Sequence, residues 1–298
     1  MRARFTPLDY ALYAGVILFW GFTWIALHYQ VGTVSPEVSV AWRFLIAGPV
    51  MLAIALARGE NLAFPVSDHL IFVALGFFLF CANFTLFYYA AAVLTSGLLS
   101  VVFSLSSVIN VGLGALVLRT PVDARIIVGG FLGSLGVALM FYPELAHMEL
   151  SSQAAMGLLL CIAGTLSFCF GNMVSARMQK RGLPLFATSG YAMIYGAVLL
   201  CAFAAWQGKA FIVEWTIPYL AGLIYLALIG SVAAFACYLT LLGRVGADRA
   251  AYATVVMPVI ALLVSTAAEG YRWTIPALLG LASVLAGNLL VLRQPKRQ

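Results

Sequence analysis

The sequence predicts an all-α integral membrane protein of ten transmembrane helices, arranged as a 5+5 inverted repeat with both termini in the cytoplasm. Three observations carry this: composition, the length of the apolar runs, and the side on which basic residues fall. Of 298 residues, 64% are hydrophobic and 9% charged, whereas a soluble domain carries roughly 25% charged residues. A spanning helix needs about 20 mostly apolar residues. Breaks at charges, Pro and Gly leave such runs at 9–30, 39–57, 69–92, 96–118, 124–142, 154–176, 185–207, 216–242, 249–268 and 274–292. Little chain remains for a soluble domain.

The first run follows Arg2 and Arg4, the basic flank of a signal peptide. Its apolar stretch is long and no A-x-A cleavage site follows, so it is expected to stay as the first helix. Arg43 falls near the outer end of its run, and Lys209 and Arg272 lie in external loops, leaving 13 of the 16 Lys and Arg residues on the opposite side. Basic residues concentrate on the cytoplasmic face; the expectation is a multi-pass protein of the bacterial inner membrane. The net charge of +6 then sets topology and does not imply a nucleic-acid partner. Cys81, Cys161, Cys169, Cys201 and Cys237 all fall within the runs, as small apolar residues and not as a disulfide or zinc framework.

The two halves align. At a spacing of 148, Pro36 meets Pro184 and Arg43 meets Tyr191; at 152, Val93 meets Val245 and Ser106 meets Pro258; at 151, Gly129 meets Gly280 and Gly136 meets Gly287. Five spans is an odd number, so a second copy enters the membrane inverted. The expected units are 1–148 and 149–298, joined by an external loop, Pro143 to Gln153, that lacks Lys and Arg. Inverted repeats build many secondary transporters, with a substrate site near the midplane between them.

With AWRF at Ala41 to Phe44 and VGADRAAYATVVMPVIALLVSTAAEG at Val245 to Gly270, the chain resembles the EamA-type transporters of the drug/metabolite transporter superfamily. A mid-helix Pro and a terminal Glu recur in that family's ninth helix, here Pro258 and Glu269. Their first-half counterparts depart from the pattern, being Ser106 and Val117. Aromatic content makes the chain most similar to the YddG-type aromatic amino acid exporters. That resemblance implies export and places the fourth helix beside the central pathway.

Candidate substrate-binding residues follow from helical spacing at about 100° per residue. In SGLLSVVFSLSSVIN, Ser96, Ser100, Ser104 and Ser107 advance by four, four and three, with Asn110 three later and Phe103 on the same face. Small hydroxyl residues also let membrane helices approach and bond one another. The face is assigned to the cavity through Ser100, Phe103, Ser104 and Ser107. The third helix offers Gly76, Phe80, Asn83 and Phe87; the sixth, Phe168 and Asn172; the first, Trp20 and Trp24; the eighth, Tyr238; the ninth, Tyr252. Intramembrane amides such as Asn83 and Asn172 need partners or water. Pro258 either hinges the ninth helix or makes a static kink. Gly129, Gly133 and Gly136 form a small face for packing the fifth helix on the tenth.

No ionisable residue is expected near the middle of a span, so neither a midplane proton relay nor a clamp for phosphorylated solutes is predicted. Coupling through Glu269 or through sodium stays open. No GxxxxGK[ST] loop is present to hold ATP. His28, His69 and His147 are scattered, and no paired acids or nucleophile with a base suggest an enzyme. The predicted function is export, by alternating access, of small neutral or zwitterionic solutes and foremost aromatic amino acids. The alternative is a broad exporter of other amino acids, drugs or metabolites. The expected partners are the small-molecule substrate and the lipid bilayer; a monomer with no cofactor or metal is expected.

Overall fold

The computed structural model describes residues 6–118, 124–147, 152–245 and 252–292. Among them the chain forms ten successive helical rods. They are α1 (Pro7–His28), α2 (Pro36–Ala57), α3 (Val66–Ala91), α4 (Ser96–Ser104 continuing as Ser106–Leu118), α5 (Ala124–His147), α6 (Ser152–Lys180), α7 (Leu185–Trp206), α8 (Ile217–Ile224, Tyr225–Ala233, Ala234–Val245), α9 (Tyr252–Ala268) and α10 (Ile275–Leu292). Helix is what such a sequence must form: in hydrocarbon, a backbone N–H or C=O that is not paired within the protein costs several kcal/mol. Six rods, α1, α2, α3, α6, α7 and α8, are long and apolar enough to cross a membrane; the apolar runs in α4, α5, α9 and α10 are shorter.

Sequence sets the ends. Thr6 caps α1 in a reciprocal box, its side chain accepting from Asp9 N while the Asp9 carboxylate accepts from Thr6 N, and Pro7 occupies the first turn, where its missing N–H costs nothing. Pro36 and Pro218 open α2 and α8 in the same way.

Two rods depart from the α pattern. Gly76–Ala82 in α3 and Tyr225–Ala233 in α8 are π-helical, a wide turn found mostly at functional sites. In α4 the helix is interrupted at Leu105, immediately before Ser106, whereas α9 runs continuously through Pro258. The matched positions are thus accommodated differently: one helix breaks and the other absorbs a proline.

The rods pack with an internal exchange symmetry. α2 lies on α7 and α5 on α10; α1 joins α8 and α9, while α6 joins α3 and α4; α9 meets α4 along Ser96–Ser104. Replacing α1–α5 by α6–α10, and the reverse, maps each of these contacts either onto itself or onto another of the set. The glycines show it at atomic scale. A Cβ on Gly136 would stand 2.5 Å from the Gly280 carbonyl oxygen, and one on Gly287 would stand 2.5 Å from that of Gly129. Gly129/Gly280 and Gly136/Gly287 are the pairs that align at a spacing of 151, so one close approach is the counterpart of the other.

The seam between α4 and α9 has its own fastening. A Cβ on Gly97 would stand 2.6 Å from Leu262 Cδ2 and 3.1 Å from Ser265 Cβ, so the helices touch almost backbone to backbone. Glu269, just past α9, accepts from the backbone N–H of Ser96 with both carboxylate oxygens, at 3.1 Å each, and from the Ser96 hydroxyl. It therefore caps α4 from another helix, where its charge also faces the positive end of the α4 dipole. His28 Nδ1 stands 3.2 Å from Oε1 of the same carboxylate.

Two outcomes follow. Gly136→Ala should lower the melting temperature in detergent, overpacking costing about 1–3 kcal/mol. Gly112→Ala, with open space at its Cβ, should be neutral or gain up to about 1 kcal/mol of helix propensity. Equal melting temperatures for both variants would refute the close α5–α10 crossing. Glu269→Ala should cost about 1–2 kcal/mol through the lost cap, and Glu269→Gln less; thermal unfolding that ranks the two variants the other way would contradict the capping role.

Candidate binding site

The π segments decide which side chains reach the interior. A π turn inserts an extra residue relative to α spacing, so rings placed four apart in sequence no longer share a stripe. In α3, Phe80 within the π segment is fully buried against Phe44 and Phe235, with ring centroids 5.1 and 5.8 Å away. Beyond the segment, Asn83, Phe84 and Phe87 turn into a cavity.

This cavity has about 530 Å³ of empty space counted out to its open mouth. It lies where the α1, α8, α9 group meets the α3, α4, α6 group. Trp20, Thr23, Trp24 and Leu27 line it from α1, Phe103 from α4 and Phe168 from α6; Phe235 of α8, Met257 of α9 and Arg43 of α2 complete the described wall with the three α3 residues. The rings form a connected cage. Phe103 lies 4.7 Å from Phe168, 5.4 Å from Trp24 and 5.7 Å from Phe87, and Trp24 lies 5.2 Å from Phe87, in edge-on or tilted arrangements. Edge-on packing leaves ring faces and edges able to take another aromatic body.

The polar groups in the wall are few and mostly anchored. Asn83 Nδ2 donates to the Gly164 carbonyl at 3.1 Å, and a Cβ on Gly164 would be 2.9 Å from the Phe87 ring, so this glycine lets α6 close on α3. Trp20 Nε1 donates to the Gly230 carbonyl inside the α8 π segment at 3.2 Å. Ser167 of α6 donates to the Phe78 carbonyl inside the α3 π segment at 2.7 Å. Each wide turn thus has a carbonyl occupied by a donor from the neighbouring helix. Thr23 Oγ1 returns its proton to the Trp20 carbonyl at 2.6 Å.

Of the residues assigned from sequence, Trp20, Trp24, Asn83, Phe87, Phe103 and Phe168 stand together in the cavity wall. Phe80, Ser100, Ser104, Asn172 and Tyr238 fall outside its described lining. Ser100 is fully buried. Ser104 donates to the Val101 carbonyl at 2.7 Å and accepts from Asn288 Nδ2 of α10 at 3.3 Å, so the hydroxyl face of α4 divides between neighbours, with Phe103 as its contribution to the wall. Asn172 Nδ2 donates to Asn110 Oδ1 at 3.4 Å, an α6–α4 tie, and Tyr238 packs on Trp20 with centroids 5.2 Å apart. Pro258 is buried in α9 beside Met257. The side chains of Ser107 and Tyr252 lie outside the described residues.

Arg43 corrects the sequence reading. The helix begins at Pro36, not 39, which places Arg43 about two turns inside it, 1% exposed and in the cavity wall. Its Nε donates to Ser231 Oγ at 3.0 Å, and that hydroxyl donates in turn to the Leu226 carbonyl at 2.9 Å across the π turn. Its Cζ stands 4.3 Å from the Phe84 ring centroid and 5.3 Å from that of Phe44. The available signal was the Arg within AWRF, set in an apolar run with no acid to balance it. Thr23, Leu27, Phe84, Phe235 and Met257, which also line the cavity, are not among the residues assigned from sequence. Among the described residues no cluster of three His, Cys, Asp or Glu could hold a metal.

The model of the EamA-like transporter family matches the chain twice, over residues 9–142 and 155–293. Protein PagO of Salmonella typhimurium is 23% identical over 94% of this chain and 91% of its own length. The uncharacterized inner membrane transporter YedA of Escherichia coli is 28% identical over 91% of this chain and 86% of its own length. A solved crystal structure shares the fold, with a TM-score of 0.70, 17% sequence identity and 95% of each chain covered. The chain is a helical membrane protein and belongs to the EamA-like transporter family.

Proposed function

We propose that the protein is a secondary transporter that exports small neutral or zwitterionic solutes, foremost aromatic amino acids, across the bacterial inner membrane by alternating access. The observation that carries this reading is the ring-walled cavity between two groups of helices related by exchange symmetry. A solute with an aromatic side chain gains about 0.5–1.5 kcal/mol for each well-placed ring pair, and the cage around Phe103 offers several. Ten spans in two inverted units, 1–148 and 149–298, with cytoplasmic termini, are supported by the twofold family match, the reciprocal glycine contacts and the one-sided distribution of basic residues. Rocking one helix group against the other would have to part the α4–α9 seam at Ser96–Ser104, the contact fastened by Glu269. The likeness to aromatic amino acid exporters points the same way for the solute. A monomer embedded in lipid, with no nucleic-acid partner, completes the reading.

Counterflow in liposomes containing the purified protein, with radiolabelled Trp, Phe, Thr and a neutral sugar, tests it. Saturable exchange of Trp and Phe is expected; exchange of Thr but not Trp would reject the aromatic preference, and no saturable exchange of any solute would reject transport. Side-chain truncations separate wall from scaffold. Phe103→Ala and Phe168→Ala should raise the KM for Trp by about two- to tenfold per lost ring pair. Phe80→Ala should cost stability, about 3–5 kcal/mol for a buried ring, without changing KM per folded molecule. The opposite pattern would put the solute elsewhere.

A further inference from the structure

Arg43 is the one cation in the described cavity wall, and no Asp or Glu lines that wall with it. Among the described residues no carboxylate lies within 4.0 Å of its guanidinium. A buried charge without a counter-ion is costly unless hydrogen bonds and other charges compensate it. Here the compensation is partial. The Phe84 and Phe44 rings offer their π faces, which attract a cation but do not take up its N–H groups as a carboxylate would. Ser231 Oγ accepts one N–H, from Nε. The Tyr88 hydroxyl is a second polar neighbour, close enough to interact with the guanidinium, and the remaining N–H groups of the head have no described acceptor. A guanidinium has five N–H donors, and a pair of parallel ones matches a carboxylate. Its head reaches the α1–α8 seam: a Cβ on Gly230 would stand 3.7 Å from Arg43 Nη2 and 2.5 Å from Thr23 Cγ2.

A second donor in the same wall is also unfilled. Trp24 is 7% exposed and its Nε1–H is buried with no acceptor among the described residues, whereas the indole one turn earlier, Trp20, donates to Gly230. Arg43 and Trp24, the latter with a buried N–H that has no described acceptor, thus both belong to the wall of one cavity whose remaining lining is largely aromatic.

We propose that the cavity recognises a carboxylate, held by the Arg43 guanidinium and the Trp24 Nε1–H, while the ring cage takes an aromatic body. This rests on the transport reading above; it narrows the zwitterionic solutes to those with an aryl-alkyl carboxylate and extends them to the corresponding anions that lack an α-amino group. With no acid in the described wall, an α-ammonium finds π faces, the Asn83 amide and the Thr23 hydroxyl, and no counter-charge. Indole-3-propionate is therefore accepted as readily as tryptophan, and tryptamine is refused.

Isothermal titration calorimetry on the full-length protein in detergent, with indole-3-propionate, tryptophan and tryptamine as titrants, tests this directly. The wild type should bind both carboxylates and bind tryptamine at least about tenfold more weakly, the scale of one charge-assisted hydrogen bond. Arg43→Gln should weaken both carboxylates by about tenfold or more and leave tryptamine unchanged, and Arg43→Lys should restore part of the loss. Trp24→Phe keeps a ring and removes the N–H; it should weaken the carboxylates by about two- to tenfold, and it carries the test if Arg43→Gln does not fold. Tryptamine binding as tightly as indole-3-propionate would overturn the proposal, as would unchanged carboxylate affinity in the folded variants. Flux through proteoliposomes separates the two readings. Arg43-dependent carboxylate binding without saturable flux would remove transport and leave the recognition standing. Saturable tryptophan flux that Arg43→Gln leaves unaltered in KM would do the reverse.

Discussion

In a hydrocarbon surround, a polar group can find a partner only within the protein, and this constraint shapes the molecule at every scale. It requires helix along the spans. Where two helices depart from α geometry, it requires a donor from next door: Trp20 for the Gly230 carbonyl, Ser167 for that of Phe78. It also explains the crossed cap at the α4–α9 seam, where the N-terminus of α4 takes its acceptor from Glu269, beyond the end of another rod. The polar residues of this chain act mainly as connectors between helices.

Glycine contacts set the distances over which those connectors act. Backbone-to-backbone approach at Gly136/Gly280 and Gly129/Gly287 draws α5 against α10, and Gly76 and Gly196 do the same for α3 and α7. With the outer pairs packed this tightly, the bulky rings of α1, α3, α4 and α6 collect at the centre. The cavity lies among these edge-on and tilted rings. Arg43 enters it because the π segment of α8 turns Ser231 toward α2, giving the guanidinium one fixed acceptor while its planar face rests on Phe84.

Much of this was legible in the sequence. Apolar run length located the rods to within a few residues, and the glycine spacing marked the α5–α10 crossing. On α1, regular α periodicity put Trp20 and Trp24 on one face, and both line the cavity; on α6 it paired Phe168 with Asn172, of which Phe168 alone is in the described lining. It failed where the period fails: the π turn in α3 separates Phe80 from Asn83 and Phe87, though all three sit on one stripe at 100° per residue. The break at Leu105 divides α4, and Ser104 spends its hydroxyl on Val101 and Asn288 instead of the cavity. Arg43 was misplaced for a different reason. A charge conventionally marks the end of a span, and nothing local to AWRF distinguishes a terminal arginine from one turned inward onto two phenylalanine rings.

The claim on which the functional account turns is that the ring-walled cavity is where the solute sits. Crystals of the protein grown with bromotryptophan would locate the ring directly through the anomalous signal of bromine. The account predicts a peak inside the cage of Trp24, Phe103 and Phe168. A peak on the outer, lipid-facing surface or in a separate crevice, with the cage empty, would contradict it.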